Sequence, residues 1–562
     1  MHSNKTFYEV LKRLYHQDPD RVTITLLSSN KPDQHITYQQ LVTGAAGYAQ
    51  ALSQAEVRPG DVVILILQHS EALIYSYFGT VLQGAIPSIM PFLTEKLSPE
   101  EYRRSLEALF EITAPAAVIT YPEFFEEVGA AAKGNNSIRS IIISGEVGAA
   151  AEVAFAEFGG QQSSPDNLVL LQHSSGTTGL QKGVALSHQA VFNQLESYTK
   201  AIQLKPSDVI VSWLPLYHDM GLIAGFIMPV LTQVRLVLIS PFDWVRAPAR
   251  LMHAISKYKG TLSWLPNFAY NFCAQKIRTR ELEEVDLSSL RAIINCSEPM
   301  YLESHQMFLE RFQPYGLRPE ALATSYAMAE NVFAVTQGGI ENPVTIDVVD
   351  REALAARQLA IKSSDGSNTI KMLSAGSTIG NTHLRIIGSD GRILPERNIG
   401  EIAIQSNCML TGYYHRPDLT KKAFLDGWYL TGDLGYLADG ELYITGRKKD
   451  LIIVGGKNIY PQDLERIANK IPGVHPGRLV AFGVYNQRSG TEDVVIVAEV
   501  DSRDSTTRQE IADQIRLRVN HSSDISLRYV KIVDRGWLLK TSSGKITRHA
   551  NRTKYLQEEA DV

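Results

Sequence analysis

The sequence predicts an α/β fold. A large N-terminal domain of helix-covered mixed and parallel sheets carries a small β-rich subdomain, and a small α+β C-terminal domain follows. Three observations predict this. Apolar runs of strand length alternate with helical patterns through residues 1–370. After residue 370 the texture turns to short strands and tight turns. A basic break at Gly446-Arg-Lys-Lys-Asp450 then opens a fresh series of strands and helices. Strands alternating with helices make parallel sheets covered on their faces. At 562 residues the chain exceeds what one core supports. The expected division is a domain 1–447, with α/β subdomains over about 1–370 and a β-rich subdomain over about 371–447, then a domain 448–562.

The elements follow in order. Thr37-Tyr-Gln-Gln-Leu opens a helix, Asp61-Val-Val-Ile-Leu-Ile-Leu67 is a buried strand, and Ser70 opens an apolar helix. Ala116-Ala-Val-Ile-Thr and Ile141-Ile-Ile-Ser supply two more strands. An apolar run from Leu168 ends at Leu171, a small-residue loop runs from Ser174 to Gly183, and a helix opens at Ser187. Val209-Ile-Val-Ser-Trp, Val234-Arg-Leu-Val-Leu-Ile and Arg291-Ala-Ile-Ile-Asn continue the alternation. Leu384-Arg-Ile-Ile, Gly400-Glu-Ile-Ala-Ile and Trp428-Tyr-Leu are short strands, and Asp439-Gly440 joins two more as a hairpin. Leu451-Ile-Ile-Val, a helix from Pro461, strands at Leu479 and Val494 and a helix from Arg508 to Val519 fill the C-terminal domain.

Composition narrows the function. Fifty-five Lys and Arg against 60 Asp and Glu leave a formal charge of −5, with no basic excess for nucleic acid. Cys273, Cys296 and Cys408 are far apart, so neither a disulfide framework nor a zinc knuckle is expected, and a reducing, cytoplasmic setting is. The N-terminus lacks an apolar signal core, and the run Val62-Val-Ile-Leu-Ile-Leu67 is too short to span a bilayer. A protein that is not integral to a membrane is expected.

The loop Ser174-Ser-Gly-Thr-Thr-Gly-Leu-Gln-Lys-Gly183 is the strongest chemical signal. Glycine lets backbone approach phosphate oxygens, and hydroxyls and a lysine suit a polyanion. Gly176 and Gly179 do not fit the Walker register, so a nucleotide phosphate is gripped by another scheme. Asn295-Cys-Ser-Glu-Pro-Met300 follows a strand, and Ser325-Tyr-Ala-Met-Ala-Glu330 comes after it. Strand ends in α/β sheets bind ligands. Tyr326 can stack on a purine, and Glu330 can hold Mg²⁺ against phosphates. Thr431-Gly-Asp433, with Arg447 after the hairpin, offers a carboxylate to ribose hydroxyls. Lys545 follows a Ser/Gly turn that presents it at a loop tip.

In order and spacing, Ser174–Gly183, Tyr326-Ala-Met-Ala-Glu330, Thr431-Gly-Asp433, Gly446-Arg447 and Ser543-Gly-Lys545 resemble the motifs of the adenylate-forming superfamily, over nearly the whole chain. That superfamily holds acyl-CoA synthetases, adenylation domains, luciferases and acyl-AMP ligases. The resemblance implies ATP, AMP and Mg²⁺ as bound groups. Ser174, Ser175, Gly176, Thr177, Thr178, Gly179 and Lys182 would grip the β/γ-phosphates. Tyr326 would pack on adenine, with Ser297 and Glu298 bordering it. Glu330 would bind Mg²⁺, and Asp433 and Arg447 would hold the ribose. Lys545 would bridge the substrate carboxylate and the α-phosphate. His218, with Asp219 and Gly221, would line the acyl site. Lys449 would be the hinge of a mobile small domain.

Three features resemble the fatty acyl-AMP ligase branch. They are Trp213-Leu-Pro-Leu-Tyr-His-Asp-Met-Gly-Leu222, the Pro-Asn-Phe-Ala-Tyr signature with Asn267, Phe268 and Tyr270, and the long segment 346–373. Such an insertion implies restricted domain motion and a disfavoured CoA acceptor. The implied substrate is a fatty acid. The implied acceptor is an acyl carrier protein acting in trans, since no carrier segment follows Lys545. Ala327 and Cys296-Ser297 depart from the pattern, and Gly455-Gly-Lys-Asn-Ile-Tyr-Pro461 is closer to the CoA-ligase form. An acyl-CoA synthetase and an inactive nucleotide-binding scaffold are therefore the competing expectations.

Overall fold

Val62–Ile66, Ala117–Thr120, Leu262–Leu265 and Ala292–Asn295 are buried at every position, as strands covered on both faces must be. These runs build two parallel sheets. The computed structural model describes residues 5–29, 31–92, 99–174, 182–364, 366, 368–454, 457–486, 491–522, 527–541 and 545–560. The fold is α/β, with large N-terminal sheets and a smaller α+β C-terminal part, as the sequence predicts.

One sheet orders its strands Leu322–Thr324, Ala292–Asn295, Leu262–Leu265, Val209–Ser212, Arg235–Ile239, Val22–Leu27 and Gln34–Thr37. Its pairs are parallel except the last. A second sheet, Ile86–Ile89, Val62–Ile66, Ala117–Thr120 and Ser140–Ile143, is parallel throughout. Helices start where the sequence places their caps. Thr37 forms a capping box with Gln40 ahead of Tyr38–Gln54, Ser70 caps Glu71–Leu82, and Ser187 caps His188–Ala201.

The region around Ser174–Gly183 differs from its sequence reading in two ways. The first strand runs past Leu171 through Gln172 and His173 to Ser174, and a second strand, Lys182–Ser187, precedes the helix. The two pair antiparallel, with Leu171 opposite Ala185. Three apolar residues, Val184-Ala-Leu186, are too short a run to announce a strand alone. The polar extension is stable because its side chains find partners: Gln172 donates to the Tyr217 carbonyl at 3.0 Å, and His173 lies 2.8 Å from the Ser88 hydroxyl.

The chain divides into two compact units. One is Met1–Thr345 with Gly376–His383 and Gln405–Gly427, and the other is Ile346–Ala375 with Leu384–Ile404 and Trp428–Val562. The sheets above belong to the first. In the second, Trp428–Ala438 and Glu441–Arg447 form the expected hairpin, with Asp439 (φ 54°) and Gly440 (φ 79°) both left-handed as a type I′ turn requires. Segment 346–373 folds as antiparallel strands Ile346–Asp350 and Thr369–Leu373 around helix Arg351–Ala356. Buried Asp347 pins it, accepting from Arg397 at 3.0 Å and from the Tyr436 hydroxyl at 2.9 Å. Burial, and then the Asp347 carboxylate, push the Tyr436 hydroxyl upward, so it stays a donor. Val349, Leu354 and Ile370 pack with Tyr436, Tyr443 and Tyr460, each such side chain contributing about 1.5–3 kcal/mol. The C-terminal part is a mixed sheet, Val474–Asn486, Thr491–Val500 and Tyr529–Val533, whose core includes Leu464, Ile515 and Val519.

Candidate active site

Four neighbouring parallel strands deliver their C-terminal ends to one edge of the large sheet. His218 and Asp219 follow Val209–Ser212, Asn267 follows Leu262–Leu265, Ser297 follows Ala292–Asn295, and Tyr326 follows Leu322–Thr324. The carboxyl edge of such a sheet is where α/β enzymes bind ligands. The loops are tied together. The Ser325 amide donates to the Asn295 carbonyl at 3.0 Å, Asn295 Nδ2 donates to Asn267 Oδ1 at 3.0 Å, and the Ser297 hydroxyl lies 3.9 Å from Met220 Sδ. Ser297 holds φ 70°, a left-handed conformation uncommon for a residue with a Cβ. Glu298 Oε2 accepts the Phe268 amide at 3.1 Å, at the start of helix Asn267–Lys276. Tyr326 is buried, with its amide donating to Thr336 Oγ1 at 3.2 Å.

Glu330 sits in a loop held under strain. Two residues on, buried Val332 adopts φ 64° and ψ −54°, and the Phe333 amide closes a γ-turn onto the Asn331 carbonyl at 2.7 Å. This turn is rare for any residue and worse for a β-branched one, at a cost of about 1–3 kcal/mol. Glu330 Oε1 accepts from the Tyr413 hydroxyl at 2.9 Å, and its carbonyl accepts the Leu410 amide at 2.8 Å. Lys182 Nζ lies over the Tyr413 ring, 4.8 Å from its centroid. One aromatic residue thus joins the lysine of the phosphate-loop motif to the carboxylate assigned to Mg²⁺. Tyr413 arrives there because strand Gly412–Tyr413 pairs with Ala185 and Val184. No cluster of three or more His, Cys, Asp or Glu suited to a metal occurs among the described residues. One carboxylate beside phosphate oxygens is the donor set that suits Mg²⁺, so Glu330 fits that ion. Of the loop residues assigned to phosphate, Ser175, Gly176, Thr177, Thr178 and Gly179 lie outside the described residues; Ser174 ends the strand and Lys182 begins the next.

Trp213 and Phe268, expected on the acyl side, join Trp244 in an aromatic cluster. Trp213 and Trp244 stack at 3.5 Å and 10°, and Phe268 meets both edge-on at 6.3 and 6.2 Å. Of the signature helix, Phe268 is 44% exposed while Asn267 (5%) and Tyr270 (0%) are buried. Asn267 binds Ser304 and Asn295, and the Tyr270 hydroxyl donates to the Ile293 carbonyl. Asn267 and Tyr270 therefore hold the helix, and Phe268 faces open space. His218 Nδ1 lies 2.6 Å from Asp219 Oδ1. Segment Met220–Ile227 is π-helical, a geometry frequent at functional sites. Gly221 permits it: a Cβ there would stand 2.2 Å from the Pro215 carbonyl oxygen.

In the second unit Asp433 and Arg447 face each other across paired strands, Oδ1 to Nε 3.2 Å. Asp433 is largely buried and Arg447 is open, so the pair offers a carboxylate with a cation beside it. Lys449 is exposed in the short turn Lys448–Asp450 after that strand. Lys545 is half-buried, its amide donating to Thr541 Oγ1 at 3.2 Å. Sequence reasoning missed Tyr413 and Trp244. Each reaches its place through long-range packing that no local pattern signals.

The AMP-binding enzyme family model matches residues 11–414. The chain belongs to the AMP-binding enzyme family. It is 30% identical over 531 residues to a putative acyl-CoA synthetase of Caulobacter vibrioides (93% of this chain, 90% of the relative). It is 29% identical to the medium-chain-fatty-acid–[acyl-carrier-protein] ligase JamA of Moorena producens (98% of this chain, 94% of the relative). A solved structure from work on fatty acyl-adenylate ligases of E. coli and L. pneumophila matches with TM-score 0.90 and 28% identity, covering 99% of this chain and 98% of that one. No helix among the described residues is long and apolar enough to cross a membrane.

Proposed function

We propose that this enzyme is a fatty acyl-AMP ligase. It activates a fatty acid with ATP to an acyl-adenylate and pyrophosphate, then passes the acyl group to the phosphopantetheine thiol of a separate acyl carrier protein. The observation that carries the reading is the junction of Glu330, Tyr413 and Lys182 in the unit whose strand-end loops also hold Tyr326 and His218. A cytoplasmic setting belongs to the same reading, and the three cysteines are buried free thiols.

A carboxylate is a poor acylating agent because its leaving group is poor. In this mechanism a carboxylate oxygen of the fatty acid attacks the α-phosphorus, a P–O bond forms, and the bond to pyrophosphate breaks. Lys182 and the loop before it hold the departing pyrophosphate. Tyr326 packs on adenine, and Asp433 with Arg447 orients the ribose. Lys545 lies between the two anions, whose mutual repulsion it offsets. It also faces the charge that grows on phosphorus, a contribution of about 3–4 kcal/mol for one donor. Glu330 would hold Mg²⁺, which supplies further charge neutralisation on the triphosphate. Phe268, backed by buried Trp213 and Trp244, gives the acyl chain an apolar surface, with His218 at its head. Residues 448–562 serve as the lid, turning about Lys449 so that Lys545 withdraws and the thiol gains that face.

The folded segment 346–373 and its Asp347 anchor favour a carrier protein over CoA. The Caulobacter relative and the 455–461 sequence favour acyl-CoA synthesis instead. Purified enzyme supplied with ATP, Mg²⁺, a fatty acid and either CoA or holo-carrier protein separates these. Carrier loading with little acyl-CoA is expected. Efficient acyl-CoA formation without carrier loading overturns the acceptor assignment.

A further inference from the structure

The segment that carries Lys545 is fastened from behind by two fully buried polar side chains. Asn551 is 0% exposed. Its Oδ1 accepts the Leu539 amide at 2.8 Å, and its Nδ2 donates to the carbonyls of Leu539 at 2.9 Å and Thr547 at 2.8 Å. Leu539 and Thr547 lie on either side of Lys545, and their backbones are joined directly, the Thr547 amide donating to the Leu539 carbonyl at 3.1 Å. Lys540 and Ile546 are bridge partners, and the Thr541 amide donates to the Lys545 carbonyl at 2.7 Å. The second fastening is Glu499, also 0% exposed. Its Oε1 accepts the amides of Gly536 at 3.0 Å and Leu538 at 2.9 Å, while Oε2 pairs with Arg478 at 3.0 Å.

Burying a carboxylate and a carboxamide is costly unless each polar atom is satisfied, and here each is committed to this one segment or to Arg478. The C-terminal cores are built from aliphatic and aromatic side chains, so these two groups add little that apolar residues could not supply. They do fix both ends of the turn. A lysine has a long, flexible stem, and its use between two anions depends on where its Cα is held.

We propose that Asn551 and Glu499 are positioning residues for the adenylation step, holding residues 536–541 and 545–547 so that Lys545 is presented in one geometry. This rests on the role given to Lys545 above. The test uses the full chain and acid-dependent pyrophosphate release, with Asn551→Asp, Asn551→Ala and Glu499→Gln. Asn551→Asp keeps shape and the acceptor but turns the two donated bonds into oxygen–oxygen contacts. For folded variants, kcat is expected to fall about tenfold or more while KM for ATP stays within about twofold. In a Lys545→Ala background the same changes are expected to cost nothing further. If Asn551→Ala does not fold, Glu499→Gln and Asn551→Asp read the same quantity. Wild-type kcat in any folded one of these variants, beside an impaired Lys545→Ala, overturns this inference alone. An undiminished further loss in the Lys545→Ala background also overturns it. Full activity of Lys545→Ala by itself overturns the role of Lys545, and this inference with it.

Discussion

At the scale of single residues, charge and hydrogen bonding assign the work. Lys545→Ala is expected to lower acyl-adenylate formation by roughly 100- to 1,000-fold, with ATP affinity nearly unchanged. Equilibrium ATP binding and single-turnover adenylation measure the two separately, and a normal adenylation rate would contradict the assignment. Tyr413 acts one step back. Its hydroxyl donates to Glu330 at 2.9 Å, so Tyr413→Phe frees the carboxylate to turn. The Mg²⁺ concentration giving half-maximal rate is expected to rise about tenfold, as when a partner of a metal-binding carboxylate is removed. An unchanged Mg²⁺ titration would count against the Glu330 assignment. The sequence offers Asp433, Arg447 and Lys545 as candidates because each is a charged residue beside a glycine, and Glu330 because it closes a segment that follows a strand. Tyr413 was not legible there, because antiparallel pairing with Val184 and Ala185 brings it to the site.

At the scale of elements, close backbone approach decides more than propensity does. Gly221 lies where a Cβ would stand 2.2 Å from a backbone oxygen of Pro215. Backbone cannot yield as a flexible side chain can. Gly221→Ala is therefore expected to destabilise by about 1–3 kcal/mol and to shift the π-helical turn beside His218. Thermal melting checks the first effect and acid-dependent turnover the second. Gly440 is a useful contrast, since φ is 79° but a Cβ added there would meet no atom within 4 Å. Gly440→Ala should cost only the left-handed strain, about 1–2 kcal/mol. Strands, caps and the Asp439-Gly440 hairpin were read from sequence because each has a local signature. The strand Lys182–Ser187 was not, because its apolar run is short and its stability comes from the strand beside it. Asn267, Phe268 and Tyr270 are expected from the sequence to line the substrate, whereas the structure spends Asn267 and Tyr270 on support and leaves Phe268 open.

At the scale of the whole molecule, buried histidines set the acid limit. His69, His173, His188 and His305, all in the first unit, are held down at about 4 by burial, against 6.5 for a free imidazole. Between those values the unfolded chain binds protons that the folded chain refuses, so stability falls as pH drops from about 6.5 to about 4. Each group contributes up to about 1.4 kcal/mol per pH unit in that window and nothing above it. The melting temperature of the first unit is expected to be flat above pH 7 and to fall steeply below 6, and an acid-flat profile would contradict this. Fold class and the order of chemical motifs were readable across the chain, because alternation and glycine-rich turns are local. How segments 346–375, 384–404 and 428–562 pack as one unit was not, because long-range anchors such as Asp347–Arg397 leave no periodic trace. This chain is proposed to adenylate a fatty acid. The most direct test is ATP–pyrophosphate exchange with the purified enzyme across a panel of fatty, aryl and amino acids. Exchange stimulated by fatty acids and abolished in Lys545→Ala is the predicted result. Exchange with none of the fatty acids, while ATP still binds, would contradict it.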